Sequence, residues 1–300
     1  MKGVDIINYY EEIKSKIINN EIIKRVKDYS KNRSDLETYY NIGKLLVDAG
    51  KSYGEGIIKE YSKRLTSEFG KGYNTSNLKR MRKFYLSIEK GATLSHQLTW
   101  SHYVEVITLN DINIMNYYIN MSVNCMISVR ELRLKIKNKE YERLPDSTKN
   151  KLIKNEDTSL KDFVKEPIII KVNSEYKKFN EKVLQKIILE DIASFLKELG
   201  SGFSYIDHEY KIKMGNNYNY IDFLLFNIKY NCYVVVELKV VELRKEHIGQ
   251  IEVYMNYIDK NIKSINHHKT IGIIMVKKNN ELIMEYSSDP RIISREYNLV

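Results

Sequence analysis

The chain is poor in the residues that staple, break or anchor a fold. It has 2 cysteines, Cys125 and Cys232, too few for a disulfide framework or a four-thiolate zinc site, so nothing calls for an oxidising compartment. Only 3 prolines and 13 glycines occur in 300 residues, which excludes collagen-like and low-complexity chains. An apolar fraction of 43% beside 29% charged residues is that of a globular protein. No apolar stretch approaches the roughly eighteen residues that cross a bilayer; the longest, Phe223-Leu-Leu-Phe226 and Cys232-Tyr-Val-Val-Val236, are strand-sized. The opening residues meet the acidic pair Glu11-Glu12 before the apolar core of a signal peptide could form. Together these absences predict a cytoplasmic protein without a membrane partner.

What is present is size and positive charge. A length of 300 residues predicts two domains, each with its own core. The net charge of +10 is uneven: residues 1–150 hold 26 Lys+Arg against 18 Asp+Glu, and residues 151–300 hold 23 against 21. A basic first half suits a polyanion, most often a nucleic acid.

From Ile6 to about Glu140 apolar residues recur three and four apart, the period of helices. One helix is expected over 35–50, capped by Asp35 and stopped by Gly50, a second over 56–69, and a third from the Asn74-Thr75-Ser76 cluster to about Lys90. Helix, glycine turn, helix is the outline of a helix-turn-helix and equally of any small bundle. The third helix places Leu78, Met81, Phe84, Tyr85 and Ile88 on one face and Lys79, Arg80, Arg82 and Lys83 on the other. Four cations in five residues repel one another unless an anion lies opposite, so this face is the candidate nucleic-acid contact. Trp100, the sole tryptophan, is expected in the core.

Charged and polar sequence with Pro145 and Pro167 fills about 138–172 and reads as a linker. The expected organisation is a helical domain over 1–140, a charged linker over 141–172 and a second domain over 173–300. In the latter, a helical pattern over 180–199 precedes strand-like runs at 205–213, 218–226 and 232–241, a helix over 245–259, a strand over 270–277 and another at Leu282–Tyr286. The order αβββαβ gives an α+β chain overall, with an α/β second domain.

Two of those strands carry isolated charges amid apolar residues: Asp222 in Tyr218–Phe226, and Glu237 and Lys239 in Cys232–Val241. Unpaired charges on a core strand cost several kcal/mol, about what a wet site or partner must offset. If the strands form a hairpin with the loop Ile228–Asn231, Asn227 pairs with Cys232 and Asp222 falls opposite Glu237. Two carboxylates about 5 Å apart repel unless a cation lies between them. Oxygen ligands favour Mg2+ or Mn2+ over zinc, and such an ion beside Lys239 meets the needs of phosphodiester hydrolysis. An ion pair between Glu237 and Lys239 at the sheet end is the plainer alternative.

Asp222, fourteen residues, then Glu237-Leu-Lys239 resembles the D…(D/E)xK signature of the PD-(D/E)XK nuclease superfamily. The surrounding segments 195–203, 220–226, 235–239, 249–254, 271–274 and 295–297 are similar to the YhcG-like family. Segments 40–43, 65–73, 77–85, 97–103 and 128–132 resemble its N-terminal winged-helix-like DNA-binding half. The resemblance implies a restriction-endonuclease-like second domain that hydrolyses DNA with Mg2+ or Mn2+, directed by the basic first domain. It implies Asp222, Glu237 and the Leu238 carbonyl as metal ligands, Lys239 as the catalytic lysine, and Gln250 as a site glutamine sharing a helix face with His247 and Tyr254. It also implies an acid where this chain has Gln185; Glu181, one turn earlier, could substitute. Cutting both strands of a duplex with one site per chain favours a homodimer. The alternative is a DNA-binding or assembly protein with an inert nuclease fold, attached to a restriction-modification system.

Overall fold

The computed structural model describes residues 8–26, 31–54, 56–172, 176, 178–287 and 289–300. Most of the opening stretch used to judge a leader lies outside them. The chain divides into two compact units, Met1–Lys139 and Glu140–Val300.

The first unit is helical: α1 (Tyr9–Val26), α2 (Lys31–Tyr53), α3 (Ile57–Phe69), a 3-10 turn at Lys71–Tyr73, α4 (Thr75–Glu89), α5 (Trp100–Val106), α6 (Ile112–Cys125) and α7 (Val129–Lys137). Its described residues form no strand, so the helix, turn and helix of α3 and α4 are present while no β wing is seen among them. Asp35 does not cap α2. It lies inside the helix, where its Oδ1 accepts from Asn20 Nδ2 at 2.8 Å, and the helix runs past Gly50 to Tyr53. Asn74 does cap α4, its side chain accepting the Asn77 N–H at 3.0 Å.

Leu78, Met81 and Phe84 are buried and hold α4 in place, with Trp100 packed on Phe84 and Tyr39. Gly43 of α2 makes this crossing possible, because a Cβ there would come within 2.2 Å of the Met81 carbonyl oxygen. Lys79, Arg80 and Lys83 are exposed on the outer face; Arg82 is half-buried.

The second unit continues with α8 (Asp146–Lys154), a 3-10 turn at Leu160–Phe163, β1 (Ile168–Ile170), α9 (Glu181–Glu190), α10 (Ile192–Leu199), β2 (Phe203–Met214), β3 (Asn217–Asn227), β4 (Cys232–Leu238), α11 (Lys245–Asn261), β5 (His268–Val276), α12 (Glu281–Glu285) and β6 (Ile292–Leu299). The six strands form one sheet in the order β1-β6-β5-β4-β3-β2. Neighbours β2, β3 and β4 are antiparallel; β4, β5, β6 and β1 are parallel. Leu184, Ile187 and Phe195 from α9 and α10 join Phe223, Val234 and Val236 in one core. Ile251, Met255 and Ile258 of α11 join Ile221, Val235 and Ile274 in another. Covered on both faces, β4 reads as a continuous apolar run.

Three expectations are corrected here. The single helix over 180–199 is broken at Asp191, whose side chain caps α10 through the Ser194 N–H at 3.1 Å. The run Leu282–Tyr286 is the short helix α12, begun by the Asn280 side chain accepting from Ile283 N, and the last strand is instead β6.

Residues 141–172 are no linker. Tyr141, Leu144, Leu160, Val164 and Ile168 are buried. Arg143 pairs with Glu198 of α10, and Lys165, 3% exposed, lies 3.2 Å from the same carboxylate. The polar composition that suggests a linker is in part a buried ion cluster. Burial alone would raise the Glu198 pKa, but Arg143 and Lys165 outweigh it and hold the carboxyl below its usual range. A depressed carboxyl contributes stability above its unfolded pKa of about 4.3, and that contribution is lost as pH falls through the lower folded value. Glu198→Gln removes the carboxylate that Arg143 and Lys165 share, leaving Lys165 beside Glu140 at 3.6 Å, and is expected to cost about 3 kcal/mol. Thermal unfolding of the full chain at pH 7 checks this, with the difference from the parent narrowing in acid.

Candidate active site

The β3–β4 hairpin has the expected register. Its pairs run from Asn227↔Cys232 to Phe223↔Val236, and positions 222 and 237 come next. There the ladder stops. The Leu238 N–H donates to Asp222 Oδ2 at 2.7 Å rather than to a backbone carbonyl of β3. The Asp222 carbonyl in turn accepts from Gln185 Nε2 of α9 at 3.1 Å. The two strands thus part at a fork, with its backbone groups satisfied by side chains.

Glu237 is 2% exposed. Its Oε1 accepts from Lys239 Nζ at 2.8 Å and from Gln250 Nε2 of α11 at 2.7 Å. Gln250 also donates to the Tyr254 hydroxyl at 3.0 Å. Glu181, at the start of α9, brings its Oε2 within 3.8 Å of Lys239 Nζ. Asp222, Glu237, Leu238, Lys239, Gln250 and Glu181 therefore meet at one point, drawn from β3, β4, α9, α11 and the turn after β4. His247, on the same α11 face, closes the helix start, its Nδ1 accepting the Arg244 N–H at 3.1 Å. Lys79, Arg80, Arg82 and Lys83 belong to the first unit.

Charge at this point does not balance. Burial pushes the Glu237 carboxyl well up, and the Asp222 charge adds to it. Burial likewise raises Asp222, against the Leu238 N–H that favours its ionised form. Burial works to lower the Lys239 ammonium, but Glu237, Glu181 and Asp222 outweigh it and hold it charged. One cation, Lys239, faces three carboxylates, Glu237, Glu181 and Asp222. Burial, Lys239 and Arg244 hold the His247 imidazole below its usual pKa, so it adds no positive charge near neutrality.

Glu237 Oε2 is buried and has no hydrogen-bond partner, a condition that costs about 1–3 kcal/mol. An unsatisfied carboxylate oxygen beside a second carboxylate is what a hard divalent cation would relieve, so these residues fit one. Among the described residues no group of three or more His, Cys, Asp or Glu could hold a metal. The shell would therefore combine Asp222, Glu237 and the Leu238 carbonyl with water and substrate oxygens, an incomplete protein cage that Mg2+ accepts.

Gln185, a neutral amide, has a part of its own as the donor to the Asp222 carbonyl. Only a donor can serve the Asp222 carbonyl, and an ionised acid at 185 would oppose it. The helical spacing that puts 181 and 185 on one face was the available signal.

Residues 161–298 match the YhcG PDDEXK nuclease domain, and residues 12–143 match the DUF1016 N-terminal domain. A protein of Escherichia coli (strain K12) named "Putative nuclease YhcG" is 24% identical over 282 residues, spanning 79% of this chain and 75% of that protein. Among solved structures, a repair endonuclease from Pyrococcus abyssi is 18% identical with a TM-score of 0.29, over 42% of this chain and 49% of that one. A second, "Structure of EndoMS-dsDNA2 complex", is 16% identical with a TM-score of 0.29, over 42% and 48%. The chain thus spans about half of each solved structure, and likeness at this level fixes nothing about activity.

A carboxyl raised in the folded state stabilises most below its unfolded pKa, near 4.3 for Glu, and that contribution is lost as pH rises through the higher folded value. In EDTA, the melting temperature is expected to fall across this window. Glu237→Gln, which keeps the shape and removes the charge, is expected to flatten that fall and to melt higher than the parent at pH 8. Differential scanning calorimetry from pH 5 to 8 checks both.

Proposed function

Because the chain belongs to the YhcG family, its residues 161–298 forming a PDDEXK nuclease domain, we propose that it is a divalent-metal-dependent nuclease hydrolysing DNA phosphodiester bonds. The observation that carries this reading is the buried, partnerless Glu237 Oε2 beside a second raised carboxyl at the β3–β4 fork. Asp222, Glu237 and the Leu238 carbonyl would hold Mg2+ or Mn2+, and the ion would supply the acidity that turns a water into a nucleophile and the charge that offsets the phosphate. Lys239 keeps its proton among three acids and its ammonium stabilises negative charge that develops on the phosphate. Gln250 fixes the Glu237 rotamer through its 2.7 Å bond. Glu181 restrains Lys239 from the other side and is the acid nearest to the role that Gln185 cannot fill. The restriction-endonuclease-like character of the second unit belongs to this reading.

The first unit supplies DNA contact. The exposed Lys79, Arg80 and Lys83, with Arg82 beside them, present a basic face on a helix anchored by its apolar side. The winged-helix-like role rests on this helix. With one site per chain, cutting both strands of a duplex favours a homodimer.

Cleavage of plasmid DNA in Mg2+ or Mn2+ is expected to be abolished by EDTA and lost in Glu237→Ala and Lys239→Ala. DNA binding without cleavage by the parent chain would instead support a non-enzymatic binding or assembly protein. Replacing Lys79, Arg80 and Lys83 with Gln is expected to flatten the slope of log affinity against log salt by about one unit for each phosphate no longer neutralised. An unchanged slope removes α4 from the interface.

A further inference from the structure

The β2–β3 hairpin does not end where the sheet ends. β3 pairs with β4 only from residue 223 onward, whereas its pairing with β2 continues to Met214↔Asn217. Residues 210–221 thus extend past the fork as a two-stranded ribbon, closed by the turn Gly215-Asn216. Gly215 takes φ +62 there, which suits glycine in a two-residue hairpin turn. Ile212 and Ile221, buried with α11, hold one face of the ribbon down.

The other face is open. Lys211 pairs with Tyr220, and Lys213 with Tyr218, so all four side chains share that face. Tyr218 is 52% and Tyr220 51% exposed, and both lysines are exposed. Lys211 Nζ lies 3.9 Å from the centre of the Tyr218 ring. Between residues 210 and 221, Lys211 and Lys213 are the charged residues, and no acid occurs. Single exposed apolar residues are ordinary; two rings on β3 set directly across from two ammoniums on β2, all on one face, are a pattern suited to a polyanion with flat, stackable groups.

We propose that this ribbon grips unpaired nucleotides beside the cleaved phosphate, with Tyr218 and Tyr220 stacking on bases and Lys211 and Lys213 meeting phosphates. The proposal rests on the nuclease reading for the identity of the strand, and narrows it. Tyr220 and Tyr218 lie two and four residues from Asp222, about 7 and 13 Å along the strand, so a strand seated on them adjoins the carboxylates. Bases stacked within an intact duplex have no open face for a ring to cover. The substrate class that follows is nucleic acid with a single-stranded segment at the cut: a free strand, a flap, a loop or a fork.

The test uses the full chain with Ca2+ in place of Mg2+, and two dye-labelled probes, a 20-nucleotide oligothymidine and a 20-base-pair blunt duplex. Tyr218→Ala/Tyr220→Ala is expected to weaken oligothymidine binding roughly tenfold or more and to leave the duplex within about twofold. Tyr218→Phe/Tyr220→Phe, which keeps the rings, is expected to restore it. Lys211→Gln/Lys213→Gln is expected to flatten the salt slope for the single strand by about 1.4. Ultraviolet crosslinking of a bromodeoxyuridine-substituted strand is expected to mark the peptide holding Tyr218 and Tyr220. Equal loss on both probes, loss in the Phe variant, or unchanged affinity with no crosslink in the ribbon overturns the proposal. Cleavage by the parent chain is scored separately in Mg2+. If it cleaves while the ribbon variants bind as the parent does, the ribbon proposal alone fails; if ribbon variants lose binding and the parent never cleaves, the nuclease reading alone fails.

Discussion

Everything at the second unit's centre follows from an excess of buried negative charge where β3 and β4 separate. Asp222 and Glu237 stand across from each other just past the last pair of one hairpin register, and the single ammonium of Lys239 does not neutralise them together with Glu181. The sheet tolerates this because the surrounding groups satisfy hydrogen bonds without supplying charge. Gln250 serves Glu237, Gln185 serves the Asp222 backbone, and the Leu238 N–H serves the Asp222 side chain. Neutral donors fix geometry and leave the electrostatic demand unmet. A fold optimised only for stability would place apolar residues at the end of so buried a strand, and this departure is what singles the fork out as the candidate site.

The elements around the fork serve that arrangement. α9 is pinned by Leu184, Ile187 and Ile188, which brings Glu181 and Gln185 to the fork from one side. α11 is pinned by Ile251, Met255 and Ile258, which brings Gln250 and Tyr254 from the other. The parallel crossover from β4 through α11 to β5 makes the second placement unavoidable once β4 is central. β2 and β3 then continue past the fork with their own open face. Carboxylates, lysine and ribbon are consequences of one hairpin register.

Much of this was legible in the sequence because hairpin register is arithmetic: a loop of fixed length sets every later pair, so Asp222 opposite Glu237 followed from Ile228–Asn231. The apolar run of β4 and the helical period of α11 were equally plain. What escaped reading had identifiable causes. Polar sequence over 141–172 hid a buried cluster of Arg143, Lys165 and Glu198, since composition cannot tell a paired charge from a solvated one. The run Leu282–Tyr286 is too short for period to separate helix from strand, and Asn280 decides it as a cap. Asp35 carries the chemistry of a cap, but tertiary contact with Asn20 uses it inside α2. Gln185 looked like the loss of an acid, whereas its amide donates to a carbonyl that only the fork leaves open.

The central claim is that the charge excess at the fork is matched by a divalent cation. Its most direct test is anomalous diffraction from crystals of the full chain soaked in Mn2+. The account predicts one strong anomalous peak in contact with Asp222 and Glu237 Oε2, and none there in crystals of Asp222→Asn. Crystals showing Mn2+ only elsewhere, with Glu237 still bound to Lys239 and Gln250 alone, would contradict it.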